Sequence, residues 1–345
     1  MTNWLHAARY AFCLFALSGC SSAGYYWQAI SGQMEILRAA RPIDELLAAP
    51  DLAAEQKRKL AYVIDARNFA SRELRLPDNK SYRRYADLKR PYVVWNVFAT
   101  DEFSLKPRTW CFPFAGCVAY RGYFSQDAAE KFARELRAQG LDVFVGGVPA
   151  YSTLGWFDDP VLSTFIHYPD AELARLLFHE LAHQMAYAKD DSVFNESFAT
   201  AVEEVGLERW LEYASMATRE ALRQSQARKQ DFIALIALTR GKLAALYASN
   251  ADALSMRRDK AAIFTELQAA YDTLKRERWG GFNGYDAWFA QNLGNAHLVP
   301  VTTYTEWVPG FKRLLARDDG DLARFYARVK ALAGLTEDER RRQLE

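Results

Sequence analysis

The chain has 345 residues, half of them hydrophobic and 14% aromatic, with a formal net charge of +1. Such a composition builds a large core, and it carries no polybasic run of the kind that binds nucleic acid. After the first twenty residues no apolar run is long enough to span a bilayer, which takes about 20 apolar residues.

Met1 to Arg9 is short and weakly basic, and Tyr10 to Leu17 is an apolar run of signal-peptide length. Residues 1–19 are therefore expected to be a cleaved export signal. Leu17-Ser18-Gly19-Cys20 resembles the bacterial lipobox. That resemblance implies that Cys20 becomes the new N-terminus and carries a diacylglyceryl lipid, and two acyl chains hold a protein stably on a membrane. The expected place is the bacterial cell envelope. Because Ser21 rather than Asp follows Cys20, the outer membrane, facing the periplasm, is favoured.

The mature chain exceeds a typical single domain. Helices are predicted at 25–40 and 52–76, broken by Arg41-Pro42, and Pro77-Asp78-Asn79 makes a turn. Tyr92–Ala99, Val118–Phe124 and Leu141–Val148 read as strands. Ser125 is a fitting N-cap for a helix from Gln126 to Gln139 that Gly140 ends. Cys111 and Cys117 flank a Pro/Gly-containing turn, and an exported protein sits where disulfides persist. A bond between them is preferred to two free thiols, since two cysteines alone do not make a four-ligand zinc site. From Pro169 the pattern is helical, at 170–188, 195–214, 218–247, 254–277 and 311–333. The fold class expected is α+β, with a mixed α/β lobe over 20–190 and a helical lobe over 191–345.

His179-Glu180-Leu181-Ala182-His183 lies in a strongly apolar helical stretch. At 3.6 residues per turn the two histidines are about 40° apart on one face, so both imidazoles reach one tetrahedral ion. Glu180 falls about 60° to one side, placed to act on a water rather than to ligate. Burying three polar side chains in such a helix is costly without a partner. A third ligand belongs at the start of the next helix, in Phe194-Asn195-Glu196-Ser197-Phe198-Ala199-Thr200, because a helix–short loop–helix hairpin brings that turn back beside the first helix. Glu196 is the best candidate. Glu203, seven residues on, is its rival, and Glu203 or Thr200 can instead orient a histidine by accepting its second N–H.

The Asn-Glu-x-Phe-Ala segment after HExxH resembles the gluzincins, although only twelve residues separate His183 from Glu196. A longer resemblance runs through residues 25–29, 110–124, 150–160, 178–184 and 194–200. On these the chain resembles the family of zinc aminopeptidases found as bacterial lipoproteins. The resemblance implies a zincin-like fold with the active-site cleft between the lobes, one Zn²⁺ ion and a peptide substrate. It also implies a hydroxyl or imidazole to stabilise the oxyanion, for which Tyr304 is preferred over His297, Tyr151 and Tyr123. In zincins an edge strand near the site binds the substrate backbone as an added strand. Ala150, Tyr151, Ser152 and Thr153 fill that role here, or else form a loop that plugs the lobe interface. The activity expected is that of an aminopeptidase. A cell-envelope endopeptidase or oligopeptidase, or a non-catalytic, metal-stabilised binding or chaperone lipoprotein, stands as the alternative.

Overall fold

The computed structural model describes residues 24–112, 116–212, 214–303 and 306–345. The expected signal, Cys20 and Tyr304 lie outside them. In chain order the elements are α1 (24–39), β1 (Arg41–Pro42), α2 (Ile43–Ala48), α3 (Ala54–Arg72), β2 (Arg84–Ala86), β3 (Val94–Thr100), β4 (Trp110–Phe112), β5 (Gly116–Val118) and β6 (Arg121–Tyr123). They continue through α4 (Gln126–Arg137), β7 (Asp142–Val148), β8 (Val161–Leu162), α5 (Asp170–Ala182), α6 (Ser192–Trp210), α7 (Met216–Tyr247) and α8 (Ala253–Glu277). The last are α9 (Asp286–Phe289), α10 (Asn295–Thr303), α11 (Val308–Arg317), α12 (Leu322–Ala333) and α13 (Glu337–Leu344). The fold is α+β, with helices predominant and three small sheets.

Strand β3 shows why the sheet sits where it does. Side chains alternate across a strand, and Trp95, Val97 and Ala99 face one way to pack with Ala129, Ala133 and Leu136 of α4. Phe98 faces the other way and packs with Phe144, Ala296 and Val299, the last two on α10. With both faces covered, β3 becomes the central strand of the antiparallel order β6-β3-β7, in the register Trp95↔Tyr123 and Val97↔Val145. Ser125 caps α4 by accepting from the Ala128 N–H.

The largest core cluster runs from Ile36 to Leu344 and crosses residue 190 through the packed pair α5 and α6. Gly206 lets these helices and their neighbours approach: a Cβ there would stand 2.7 Å from Leu74 and 2.9 Å from Phe178. A second cluster, built on Phe232, Ile236, Leu243, Leu267 and Tyr271, closes the α7–α8 hairpin.

The helix expected at 170–188 ends at Ala182 and the strand expected at 118–124 divides between β5 and β6 of different sheets, and three further expectations change. The helix expected at 311–333 is broken, because Asp319 and Gly320 take positive φ and Asp321 caps α12 by accepting from the Ala323 and Arg324 N–H groups. The segment around His297, expected to be non-helical, contains α10, despite Pro300 inside it. Asp142 accepts from the Asn295 N–H at the start of α10, and the sheet contacts of Ala296 and Val299 outweigh local propensity. Residues 150–153 are not a strand: β7 ends at Val148 and the chain is irregular until β8. There the Thr153 and Leu154 N–H groups donate to Asp159 and Ser152 side chains, so local side chains take the backbone donors.

Candidate metal centre

Helix α5 opens with Asp170 and Glu172 in its first turn, where negative charge suits the helix dipole, and Lys59 and Arg58 pair with Asp170. Its apolar face (Leu173, Leu177, Phe178 and Leu181) is buried. His179 and Glu180 are buried as well, and His183 continues the helical backbone as its C-cap, with its N–H donating to the His179 carbonyl at 3.3 Å.

The loop to α6 is short, and long-range contacts fix it. Asn195 ties it closed from inside: its Nδ2 donates to the Ala188 carbonyl at 2.8 Å and its Oδ1 accepts from the Ala188 N–H at 2.7 Å. Asp191 caps α6 by accepting from the Phe194 N–H at 2.9 Å. The other carboxylate oxygen of Asp191 pairs with the buried Arg340 of α13 at 2.7 Å. Phe194 and Phe198 then pack on Phe311. These contacts set the position of Glu196, in the first turn and a half of α6.

The result is a triangle of donors. His179 Nε2 and His183 Nε2 are 3.2 Å apart, and Glu196 Oε2 is 3.2 Å from the first and 3.5 Å from the second. Four donors at about 2.0–2.1 Å from a tetrahedral ion lie about 3.3–3.4 Å from one another. The three atoms therefore fit three corners of a zinc tetrahedron, and the donor set of two imidazoles and one carboxylate suits that metal.

Glu203 stands on the other side of the His179 ring. Its Oε2 is 2.9 Å from His179 Nδ1, while Arg175 and Lys229 donate to its Oε1 at 2.8 and 3.3 Å. A carboxylate there accepts the Nδ1–H and leaves the Nε2 lone pair directed at the ion. Thr200 is buried one turn before it. Burial disfavours a charged His179, but the hydrogen bonds and charges of Glu196 and Glu203 outweigh it and raise its pKa to about 10. Burial works against ionised Glu196 too, yet His183 and His179 bring it down to about 2, and Arg175 and His179 hold Glu203 lower still. Glu180 goes the other way: burial raises it, only partly opposed by the two histidines.

Among the described residues, the tyrosines that feel these charges are Tyr82, Tyr120 and Tyr187 rather than Tyr123 or Tyr151. Burial and then the Glu196 charge raise Tyr120 and Tyr187, and burial and then Glu180 raise Tyr82. The buried Tyr82 hydroxyl has no hydrogen-bond partner among the described residues. With eighteen Tyr in the chain, nothing in their sequence context separates these three from core tyrosines. Of the residues expected near the substrate, Tyr151 is turned to α1, where its hydroxyl donates to Gln33 Oε1, and Ala150 is core. Thr153 Oγ1 donates to Asp159 at 2.8 Å. His297 is buried against Phe144 and accepts from the Gly294 N–H. Tyr123 is core, beside Tyr25 and Phe132. Cys111 and Cys117 are disulfide-bonded across the β4–β5 hairpin, and the Cys117 N–H donates to Asp190 in the loop after the histidines. A cleft of about 990 Å³ opens beside α6 and α7, lined by Glu172, Arg175, Glu203, Lys229 and Tyr285 among others. It reaches the outer carboxylate, not the three converging donors.

Among the described residues no helix is long and apolar enough to cross a membrane. A family model described as "Putative aminopeptidase" matches residues 24–344. No curated protein and no solved structure matches the chain.

Proposed function

Because the chain belongs to the family described as "Putative aminopeptidase", we propose that it is a zinc-dependent aminopeptidase of the gluzincin type. His179, His183 and Glu196 would hold the ion, which when bound supplies Lewis acidity and brings the pKa of water to about 7. Glu180 carries the proton. Its carboxylate takes a proton from water as the oxygen adds to the peptide carbonyl, and returns it to the amine as the C–N bond breaks. A buried carboxyl with a raised pKa suits both halves of that task. Glu203 orients His179, and Tyr304 is the proposed hydroxyl donor to the oxyanion.

The observation that carries this reading is the donor triangle, whose edges match a tetrahedral site, with the buried Glu180 feeling the charge of both histidines. A purely structural site has no use for that carboxylate, which argues against a binding or chaperone lipoprotein. The partner in this reading is a peptide, and the place is the bacterial cell envelope, by a lipid on Cys20. Purified protein assayed for zinc, and against one short peptide with a free and with an acetylated N-terminus, tests the reading. Zinc at one ion per chain and cleavage only of the free form are expected. Equal cleavage of both would replace aminopeptidase by oligopeptidase or endopeptidase, and cleavage of neither by metal-loaded protein would remove the peptidase reading.

A further inference from the structure

Helix α1 shows solvent a surface that its role in the fold does not explain. Its inner side is firmly seated. Gly32 lies so close to Phe124 that no Cβ fits, Gln28 Oε1 accepts from the Phe124 N–H at 3.0 Å, Gln33 accepts from Tyr151, and Ile36 is buried in the main core. Its outer side carries Tyr26, Trp27, Ile30 and Met34, exposed at 40, 73, 59 and 38%. At 100° per residue these four form one stripe about 100° wide, and the exposed Ser31, Glu35 and Arg38 lie to one side of it. Two aromatic and two aliphatic side chains thus face water side by side, on a helix whose other face is already committed.

We infer that this stripe lies on the lipid bilayer, in the headgroup and upper acyl region, and serves as a second contact beside the anchor. The inference rests on the lipid-anchored reading of Cys20. Four Cα–Cα steps separate Cys20 from Gly24, which bounds the distance at about 14 Å whatever path the chain takes. That is about twice the depth of one interfacial region, since a bilayer is about 40–45 Å thick around a core of about 30 Å. A helix starting so near a lipidated residue begins within reach of the surface, and its first two turns carry Tyr26, Trp27 and Ile30. Trp and Tyr favour that interface, where the ring meets hydrocarbon and the polar tip stays wet. Single acyl signals bind weakly and paired signals bind stably, so a seated aromatic stripe also fixes how the protein faces the membrane. A second copy is the poorer occupant: four partly exposed side chains fall short of about 800 Å² per partner in a stable dimer.

The test uses the full-length, membrane-processed protein in vesicles of phosphatidylethanolamine and phosphatidylglycerol with brominated acyl chains, which quench nearby indoles. Mass spectrometry of the N-terminal peptide reports the lipid on Cys20 separately. Tryptophan quenching is expected in the wild type, its loss in Trp27→Phe, and its loss again in Ile30→Glu/Met34→Glu, where Trp27 is present but the stripe is charged. Lipidated wild type without quenching, or quenching unchanged in Trp27→Phe, overturns the inference and leaves the anchor reading intact. Cys20 without lipid overturns both. A wild type that is dimeric in detergent, and monomeric as Ile30→Glu/Met34→Glu, assigns the stripe to a second copy and overturns the inference alone.

Discussion

The α5–α6 hairpin and the 149–160 segment meet at the same helix end, where Gln184 lies in van der Waals reach of Gly155, but they are held in opposite ways. In the hairpin several polar groups are fixed by other elements as well: Asp191 by Arg340 of the last helix, Glu203 by Lys229 of α7, Gln184 by Asn79. In the segment the ends are tied to other elements, Tyr151 to Gln33 of α1 and the Asp159 carbonyl to the Tyr82 N–H. The tip between them is held by local bonds, Thr153 to Asp159 and Leu154 to Ser152, and Trp156 is 71% exposed. Three donors must converge within a few tenths of an ångström to bind one ion, and only restraints from several elements supply that. The exposed tip, restrained by its own side chains, can be rearranged with less effect on the core.

The contrast breaks most visibly at the hairpin. His183→Ala is expected to lose zinc and activity together, whereas Glu180→Gln should keep zinc and lower kcat by about 10²–10⁴-fold, the usual worth of a general base. Metal analysis beside single-turnover kinetics separates the two, and full activity in Glu180→Gln would end the proposed mechanism. Arg340→Met leaves Asp191 buried and unpaired, and breaking such a pair costs about 3–5 kcal/mol. Denaturant unfolding should show that loss although residue 340 is remote in sequence from the histidines. A loss below about 1 kcal/mol, the worth of an exposed pair, would mean that the hairpin is held locally after all.

A smaller effect is expected one layer out. Glu203→Gln should weaken zinc binding by about 10–100-fold with the fold intact, the usual result of removing a carboxylate behind a ligand histidine. Chelator competition measures it, and Glu196→Ala should cost more; the reverse ranking would exchange the two roles. The 149–160 segment offers a pH handle. Burial raises the Asp159 carboxyl to about 6, outweighing the Thr153 hydrogen bonds. A raised carboxyl contributes stability that is complete below about pH 3.9 and lost as pH climbs through about 6. The melting temperature of wild type relative to Asp159→Asn should therefore fall between about pH 4 and about pH 7, and a difference flat with pH would contradict the burial seen here. The least effect belongs to Trp156→Ala, within about 0.5 kcal/mol in stability, with any kinetic change confined to KM. A loss of zinc in that variant would erase the distinction between the two regions.

Different parts of this molecule were legible to different degrees. Ser125 announces helix α4 because a side-chain oxygen three residues before a free N–H is a local arrangement, and the run of β-branched and aromatic residues along β3 announces a strand. The segment around His297 lies between the helices expected at 254–277 and 311–333, and contacts with the sheet make it helical as α10. The Asp319-Gly320 turn was hidden in an otherwise continuous apolar period. Tyr82, Tyr120 and Tyr187 could not be chosen from eighteen tyrosines, because what distinguishes them is the charge of Glu180 and Glu196 nearby in space.

By itself the sequence determined that His179 and His183 stand together with Glu180 to one side, because a helix of 3.6 residues per turn puts both imidazoles on one face whatever surrounds it. It also made Glu196 the preferred partner over Glu203, by the shortness of the loop, without excluding the latter. The tertiary structure alone decided how those two carboxylates divide. Both lie on one face of α6, seven residues apart, and either can approach an imidazole. The packing of α6 against α5 puts Glu196 beside both Nε2 atoms and Glu203 beside the Nδ1 of His179. Arg175 and Lys229 then stabilise the second carboxylate where it stands, and no spacing rule along one helix encodes which side of a ring a neighbouring helix presents.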